Sequence, residues 1–169
     1  VLYSLLVQLF GRERLYGMED PGYSKIARIY RGSGAEVAAI PLDEAGLSVR
    51  ELRRSGADVV HISPSHHYPT GLVMPIARRQ ELLRWAQERP ERIILEDDYD
   101  SEFRFVGRPI PTLFSIDGGE QVVYLNTFSK TIAPSIRISF MVLPRHLLAD
   151  FREKLGFFAC TVSALEQYT

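Results

Sequence analysis

The sequence predicts an α/β domain of three layers, with a mostly parallel sheet between two sets of helices. Two features carry that prediction. Segments with helical apolar spacing alternate along the chain with short, β-branched apolar runs, as in strand–helix–strand units. The runs end in polar clusters at 20–23, 63–71, 96–100 and 127–130. Parallel sheets carry their ligands at the carboxyl ends of strands, so the clusters point to one site. A chain of 169 residues, 46% hydrophobic and 24% charged, is long and apolar enough for one domain with a core of its own.

Residues 1–10 have the apolar spacing of a helix with no capping residue before them. Residues 14–18 read as a short strand that ends at the turn Glu19-Asp20-Pro21-Gly22-Tyr23. A helix over 24–32 places Ile26, Ile29 and Tyr30 on one face, and a strand over 36–42 leads into a turn at 43–46. Ser48 caps a short basic helix to Arg54. Residues 59–63 form a strand running into Pro64. Residues 75–89 form a helix with Ile76, Leu82, Leu83 and Trp85 as its apolar set. Ile93-Ile94-Leu95 is a buried strand feeding an acidic cluster. A Pro-rich loop at 107–111 precedes the run Val122-Val123-Tyr124-Leu125. A second apolar run covers 136–143, and a helix covers 144–158. The last stretch, 160–169, reads as a helix just begun, with Thr161 as its cap. With both ends uncapped, the sequence reads as a piece of a longer protein.

Bulk properties narrow the classes. A net charge of −1 leaves no electrostatic footprint for nucleic acid on this segment itself. Cys160 has no second cysteine to pair with, which fits a reducing cytoplasm. No apolar run has the length that crosses a bilayer, and no basic segment or cleavage site frames the apolar start.

The chemistry concentrates at the strand ends. The 122–125 run leads into Asn126-Thr127-Phe128-Ser129-Lys130. An ammonium at the end of a buried strand is costly unless it is paired or used, and one use is condensation with a carbonyl cofactor. The alternative is an exposed lysine. In Glu96-Asp97-Asp98-Tyr99-Asp100, Asp97 could hold a ring nitrogen protonated, and Tyr99, two residues along the strand, would point to the same side. A solvated acidic turn is the plain alternative. A divalent-metal site on Asp97, Asp98 and Asp100, serving a hydrolase or phosphotransferase, is another. His66 and His67 are adjacent and lack the spacing of a helical zinc pair. Tyr23, after Pro-Gly, could lie over a flat ligand or belong to the core. Arg137, with the hydroxyls of Thr127 and Ser129, could clamp a phosphate.

Taken together these residues resemble a known family. Thr127-Phe128-Ser129-Lys130 followed by Arg137 is similar to the lysine motif of fold-type-I pyridoxal-phosphate enzymes, the aspartate aminotransferase family. Tyr68-Pro69-Thr70-Gly71 looks like their Asn-Pro-Thr-Gly loop, and Glu96-Asp97-Asp98-Tyr99 like their aspartate–tyrosine strand. The finer detail resembles the aminotransferase-like domain of MocR-type bacterial transcription regulators of the GntR superfamily. It includes the 19–23 and 64–71 segments, EDDYDSEFR at 96–104, PSIR after the lysine, and CTVSALEQ at 160–167.

The resemblance implies that residues 1–169 are the central part of the large, cofactor-binding domain. In it Lys130 would bind pyridoxal 5'-phosphate as an internal aldimine, and Asp97 would pair with the ring nitrogen. Tyr99 would reach the ring oxygen, Tyr23 would stack on the ring, and Thr127, Ser129 and Arg137 would hold the phosphate. Tyr68 replaces the family's asparagine, and the aspartate–tyrosine spacing is two rather than three, which fits the regulator branch. The phosphate-binding turn, the small domain and the DNA-binding winged helix-turn-helix are expected outside this sequence. The implied function is sensing of an amino compound through an external aldimine, in a cytoplasmic homodimer that binds DNA through the missing domain. The alternative is an aminotransferase acting on amino acids, with Lys130 as its general base.

Overall fold

A computed structural model describes residues 1–100, 110–132, 136–163 and 167. Its elements are α1 (Leu2–Phe10), β1 (Leu15–Asp20), α2 (Ser24–Gly32), β2 (Glu36–Asp43), β3 (Gly46–Leu47) and α3 (Val49–Ser55). Then come β4 (Val59–Ile62), α4 (Ile76–Gln87), β5 (Ile93–Asp97), α5 (Leu113–Asp117), β6 (Val122–Thr127) and α6 (Phe128–Thr131). β7 (Ser139–Val142), a 3-10 turn at Arg145–Leu147 and α7 (Leu148–Leu155) complete the order. The strands make one seven-stranded sheet in the order β3-β2-β1-β4-β5-β6-β7. β2, β1, β4, β5 and β6 run parallel, and β3 and β7 pair antiparallel at the two edges.

β4 and β5 are buried at every position. A strand covered on both faces reads as a continuous apolar run, which is why these strands showed no alternation. The core divides into two clusters. One joins α1, α2 and α7 to one face through Leu6, Tyr30, Val59, Leu95 and Leu155. The other joins α3, α4 and α5 to the opposite face through Leu52, Leu82, Trp85, Ile94 and Leu113. The sheet between them gives the three layers that the alternating pattern predicts.

Several local expectations change. Glu19 and Asp20 extend β1 rather than opening the turn. The turn at 43–46 runs into β3, a two-residue strand. Ile76, expected on the buried face of α4, is 41% exposed, because it lies in the first turn before the helix settles on the sheet. The helix expected over 144–158 begins as the 3-10 turn and ends before Gly156. α5 was not expected at all: five residues are too few for a periodic signal, and a distant residue completes its cap. Motif residues 101–104, residues 107–109 of the Pro-rich loop, Pro134 and Ser135 of PSIR, and most of the expected C-terminal helix lie outside the described residues. Among the described residues no helix is long and apolar enough to cross a membrane.

Candidate functional site

Sheet register decides which side chains meet. Along β4 and β5, Val59, Ile93 and Leu95 belong to the α1/α2 core, and Val60, Ile62 and Ile94 to the opposite one. Alternation with period two therefore carries His61 and Asp97 to the α1/α2 face and Glu96 to the other. On that first face, at the carboxyl ends of β1, β4 and β5, a cavity of about 420 Å³ opens. Asp97, Tyr99, Tyr23 and Lys130 all line it, as do Glu19 and Tyr68. Lys130 is exposed on α6, the helix that follows β6 directly, with Thr127 as its cap. Thus four of the seven expected site residues converge on one cavity.

Asp97 is its buried acid. The Tyr3 hydroxyl donates to Asp97 Oδ2 at 2.6 Å, and His61 Nε2 lies 3.2 Å from the same oxygen. Tyr30 Oη lies 2.6 Å from His61 Nδ1. Tyr30 is fully buried, so its proton needs an acceptor. Placing the imidazole proton on Nε2 supplies one at Nδ1 and gives Asp97 a second donor. Among the described residues no hydrogen bond reaches Asp97 Oδ1, which leaves that oxygen to a donor arriving from the cavity. Burial, reinforced by the Asp97 charge, pushes the Tyr3 and Tyr30 hydroxyls well above the ordinary phenol range, so both remain donors.

Glu19 is the second acid. Its Oε2 accepts from the Ser63 N–H at 3.0 Å and lies 3.5 Å from His67 Nε2, tying the end of β1 to the loop after β4. Burial pushes Glu19 up to about 8 against the pull of the Ser63 N–H, and burial pushes His67 down. The two loops carry the half-exposed rings of Tyr23 and Tyr68, which meet edge to face at 5.7 Å. Gly22 precedes Tyr23, and a Cβ there would run into the Glu19 carbonyl oxygen, so only glycine suits that turn.

The other expected residues are placed differently. β5 ends at Asp97, so Tyr99 lies in a turn and the two-residue strand argument does not govern its direction. Its hydroxyl, pushed up to about 12 mainly by burial, donates to the His66 carbonyl at 2.8 Å. Thr127, Ser129 and Arg137 are not brought to the cavity. Thr127 Oγ1 donates to the Ile138 carbonyl and Ser129 Oγ to the Ile136 carbonyl, at 2.9 and 2.6 Å. Arg137 is exposed. The three acids weighed as metal ligands go separate ways: Asp97 to Tyr3 and His61, Asp98 to Tyr124, and Asp100 to His66.

Tyr3, Glu19, His61 and Tyr30 escaped the sequence reading. A histidine inside the buried run at 59–62 was a signal that could have been used. Tyr3 gave none, because its contact with Asp97 spans 94 positions.

A mostly parallel sheet with a lysine, a buried aspartate and aromatic rings at its carboxyl edge defines the large-domain architecture of fold-type-I pyridoxal-phosphate proteins. The family model described as Aminotransferase class I and II matches residues 2–167, and the chain belongs to that family. It is 38% identical over 169 residues to the uncharacterized HTH-type transcriptional regulator YdeL of Bacillus subtilis (strain 168), a match covering 100% of this chain and 36% of that protein. It is also 38% identical over 135 residues to the probable rhizopine catabolism regulatory protein MocR of Rhizobium meliloti, covering 80% of this chain and 27% of that protein. Among solved structures, the kynurenine aminotransferase of Pyrococcus horikoshii, in complex with PMP, superposes with a TM-score of 0.83 at 29% identity, covering 95% of this chain and 42% of that one. The chain thus spans about a third of the length of its curated relatives. The expected MocR-type affinity and fold-type-I architecture both agree with these matches, and the family and its neighbours support pyridoxal phosphate as the cofactor.

The residues present fit the ring end of that group: Asp97, Lys130 and the Tyr23 ring all line the cavity, and among the described residues no hydrogen bond occupies Asp97 Oδ1. The described residues do not assemble the phosphate end, since the Thr127 and Ser129 hydroxyls already serve the backbone.

Proposed function

We propose that this chain is the cofactor-binding core of the effector-sensing domain of a transcription regulator, and that its effector is an amino compound. When bound, pyridoxal phosphate supplies an aldehyde with which either the Lys130 amine or an effector amine can condense. The chain's own groups set the terms of that competition. Asp97 would hold a proton on the ring nitrogen. Tyr23 would cover a ring face and Tyr99 would approach the ring oxygen. Thr127, Ser129 and Arg137 would take the phosphate once the segment preceding α1 completes the site. The observation that carries the reading is the pairing of Lys130 with a buried, doubly hydrogen-bonded Asp97 on one cavity, in a chain whose relatives include HTH-type regulators.

In this reading the full-length protein is a cytoplasmic homodimer, with a winged helix-turn-helix segment and a small domain beyond these residues. Effector binding shifts the dimer between two arrangements that differ in affinity for DNA. The test is fluorescence anisotropy of full-length protein on its operator DNA, with and without a panel of amino compounds. A change in affinity that one amine produces in wild type and fails to produce in Lys130→Ala supports the reading. Amine-independent DNA binding, together with steady multiple turnovers of amino and keto acids, would replace it with an aminotransferase.

A further inference from the structure

Tyr3 occupies an unexpected place. It sits in the first turn of α1, otherwise an apolar core helix, yet its hydroxyl crosses to the end of β5 and makes the shorter of the two contacts to Asp97 Oδ2, 2.6 Å against 3.2 Å from His61. Its ring stands edge-on to His61 at 5.5 Å and to Tyr30 at 6.3 Å, so it is held on both sides. A carboxylate with both donors on one oxygen is held in orientation, and among the described residues no hydrogen bond takes up its other oxygen, in a residue that lines the cavity. A single donor would leave the carboxylate free to rotate about its terminal torsion, which is soft in aspartate.

We propose that Tyr3 is a positioning residue for the cofactor ring: with His61 it fixes Asp97 by Oδ2 and so presents Oδ1 to the ring nitrogen. This rests on the reading that the cavity holds pyridoxal phosphate. It adds that a residue of α1, at the wall of the same cavity, acts through Asp97 to set how firmly the ring proton is held.

The proposal separates from a purely packing role for Tyr3. A ring nitrogen that keeps its proton carries positive charge, and that charge lowers the proton affinity of the nitrogen linking the cofactor to Lys130. Loosening Asp97 weakens that effect and moves the pH midpoint of the visible absorption band upward. Tyr3→Phe retains the ring and leaves Asp97 partnered by His61 beside an open cavity, so no buried group is stranded.

The experiment uses full-length protein loaded with pyridoxal phosphate and titrated by visible absorption in wild type, Tyr3→Phe, Tyr16→Phe and Asp97→Asn. Tyr16 is the control: it is fully buried in the same core, and its hydroxyl bonds to the Gly11 carbonyl. Tyr3→Phe is expected to raise the midpoint by about half a pH unit, in the direction of Asp97→Asn but by less. It is expected to weaken cofactor binding about fivefold, less than the loss of a whole hydrogen bond to a charged group, because His61 still holds Asp97. Tyr16→Phe is expected to do neither. In the Asp97→Asn background, adding Tyr3→Phe is expected to change cofactor affinity no further. A Tyr3→Phe midpoint equal to that of Tyr16→Phe, or an equal loss of affinity in both backgrounds, overturns the proposal while leaving the cofactor reading intact. A wild-type protein with no band that borohydride bleaches overturns the cofactor reading itself.

Discussion

Asp97 and Glu19 end neighbouring parts of the same sheet edge, and their surroundings push them to different work. Asp97 collects two side-chain donors on one oxygen. Glu19 has a single backbone donor and a histidine that burial keeps toward its uncharged form. Replacing Asp97 by Asn removes the charge that, in the proposed function, would pair with a ring cation. Titration of full-length apoprotein with pyridoxal phosphate is expected to show at least about tenfold weaker binding, as for loss of a charge-assisted bond. Unchanged affinity would remove Asp97 from the site. For Glu19 the prediction concerns pH. Its folded value of about 8 lies above the ordinary 4.5, so between those values the folded chain keeps a proton that the unfolded chain has released. The stability this contributes is fully present below about 4.5 and is lost as pH rises through about 8. Glu19→Gln carries no such proton, so its melting temperature should gain on wild type across that window. Parallel melting curves from pH 5 to pH 9, by differential scanning fluorimetry, would contradict this. Lys130 and Asp97 were legible in the sequence because a strand run led straight to each. Glu19 was not, because a Glu-Asp-Pro-Gly string reads as a turn until a neighbouring strand end supplies the Ser63 N–H.

At the scale of elements, α1, α2 and α4 were legible from apolar spacing with no side-chain cap, and the short α3 from its cap. Ser48 accepts from the Glu51 N–H three residues on, and that pattern is visible in sequence. α5 is built otherwise. Thr112 supplies a local cap through the Ser115 N–H, while Glu96, from β5, accepts from the Leu113 and Phe114 N–H groups, each at 2.8 Å. Burial pushes Glu96 up to about 7, against those N–H groups and the Arg79 guanidinium 3.7 Å away. Arg79, buried in α4, in turn donates to the carbonyls of Met74, Pro111 and Pro64. The Glu96 side chain therefore works on the opposite sheet face from Asp97, anchoring the loop that returns to β6. Glu96→Ala strands the two N–H groups and takes a carboxylate from beside the Arg79 guanidinium, which keeps its carbonyl acceptors, and should cost about 2–4 kcal/mol in denaturant unfolding. Thr112→Ala should cost about 1 kcal/mol. If the two variants cost the same, Glu96 is not the anchor described.

For the whole molecule, the sheet order explains why one cavity gathers residues from the ends of four separate strands, to which α1 adds Tyr3. β1, β4, β5 and β6 lie side by side and parallel, so the loops and the short α6 that follow them emerge at one edge. The alternating sequence pattern predicts that edge. It does not predict the contacts across it, because Tyr3, His61 and Asp97 meet only once α1 is packed on the sheet. Thr127, Ser129 and Arg137 are not among the residues lining the cavity, and the hydroxyls of the first two bond to backbone carbonyls. The central claim is that the Lys130 amine captures the cofactor aldehyde. The chain offers an internal comparison, since Lys25 lies on α2 and Lys154 donates to the Leu9 carbonyl away from the cavity. The direct test is borohydride reduction of full-length holoprotein, followed by proteolysis and mass spectrometry of the peptides. The account predicts a phosphopyridoxyl adduct on the peptide containing Lys130, absent in Lys130→Ala; an adduct on Lys25, on Lys154 or on a lysine beyond this segment, or no adduct at all, would contradict it.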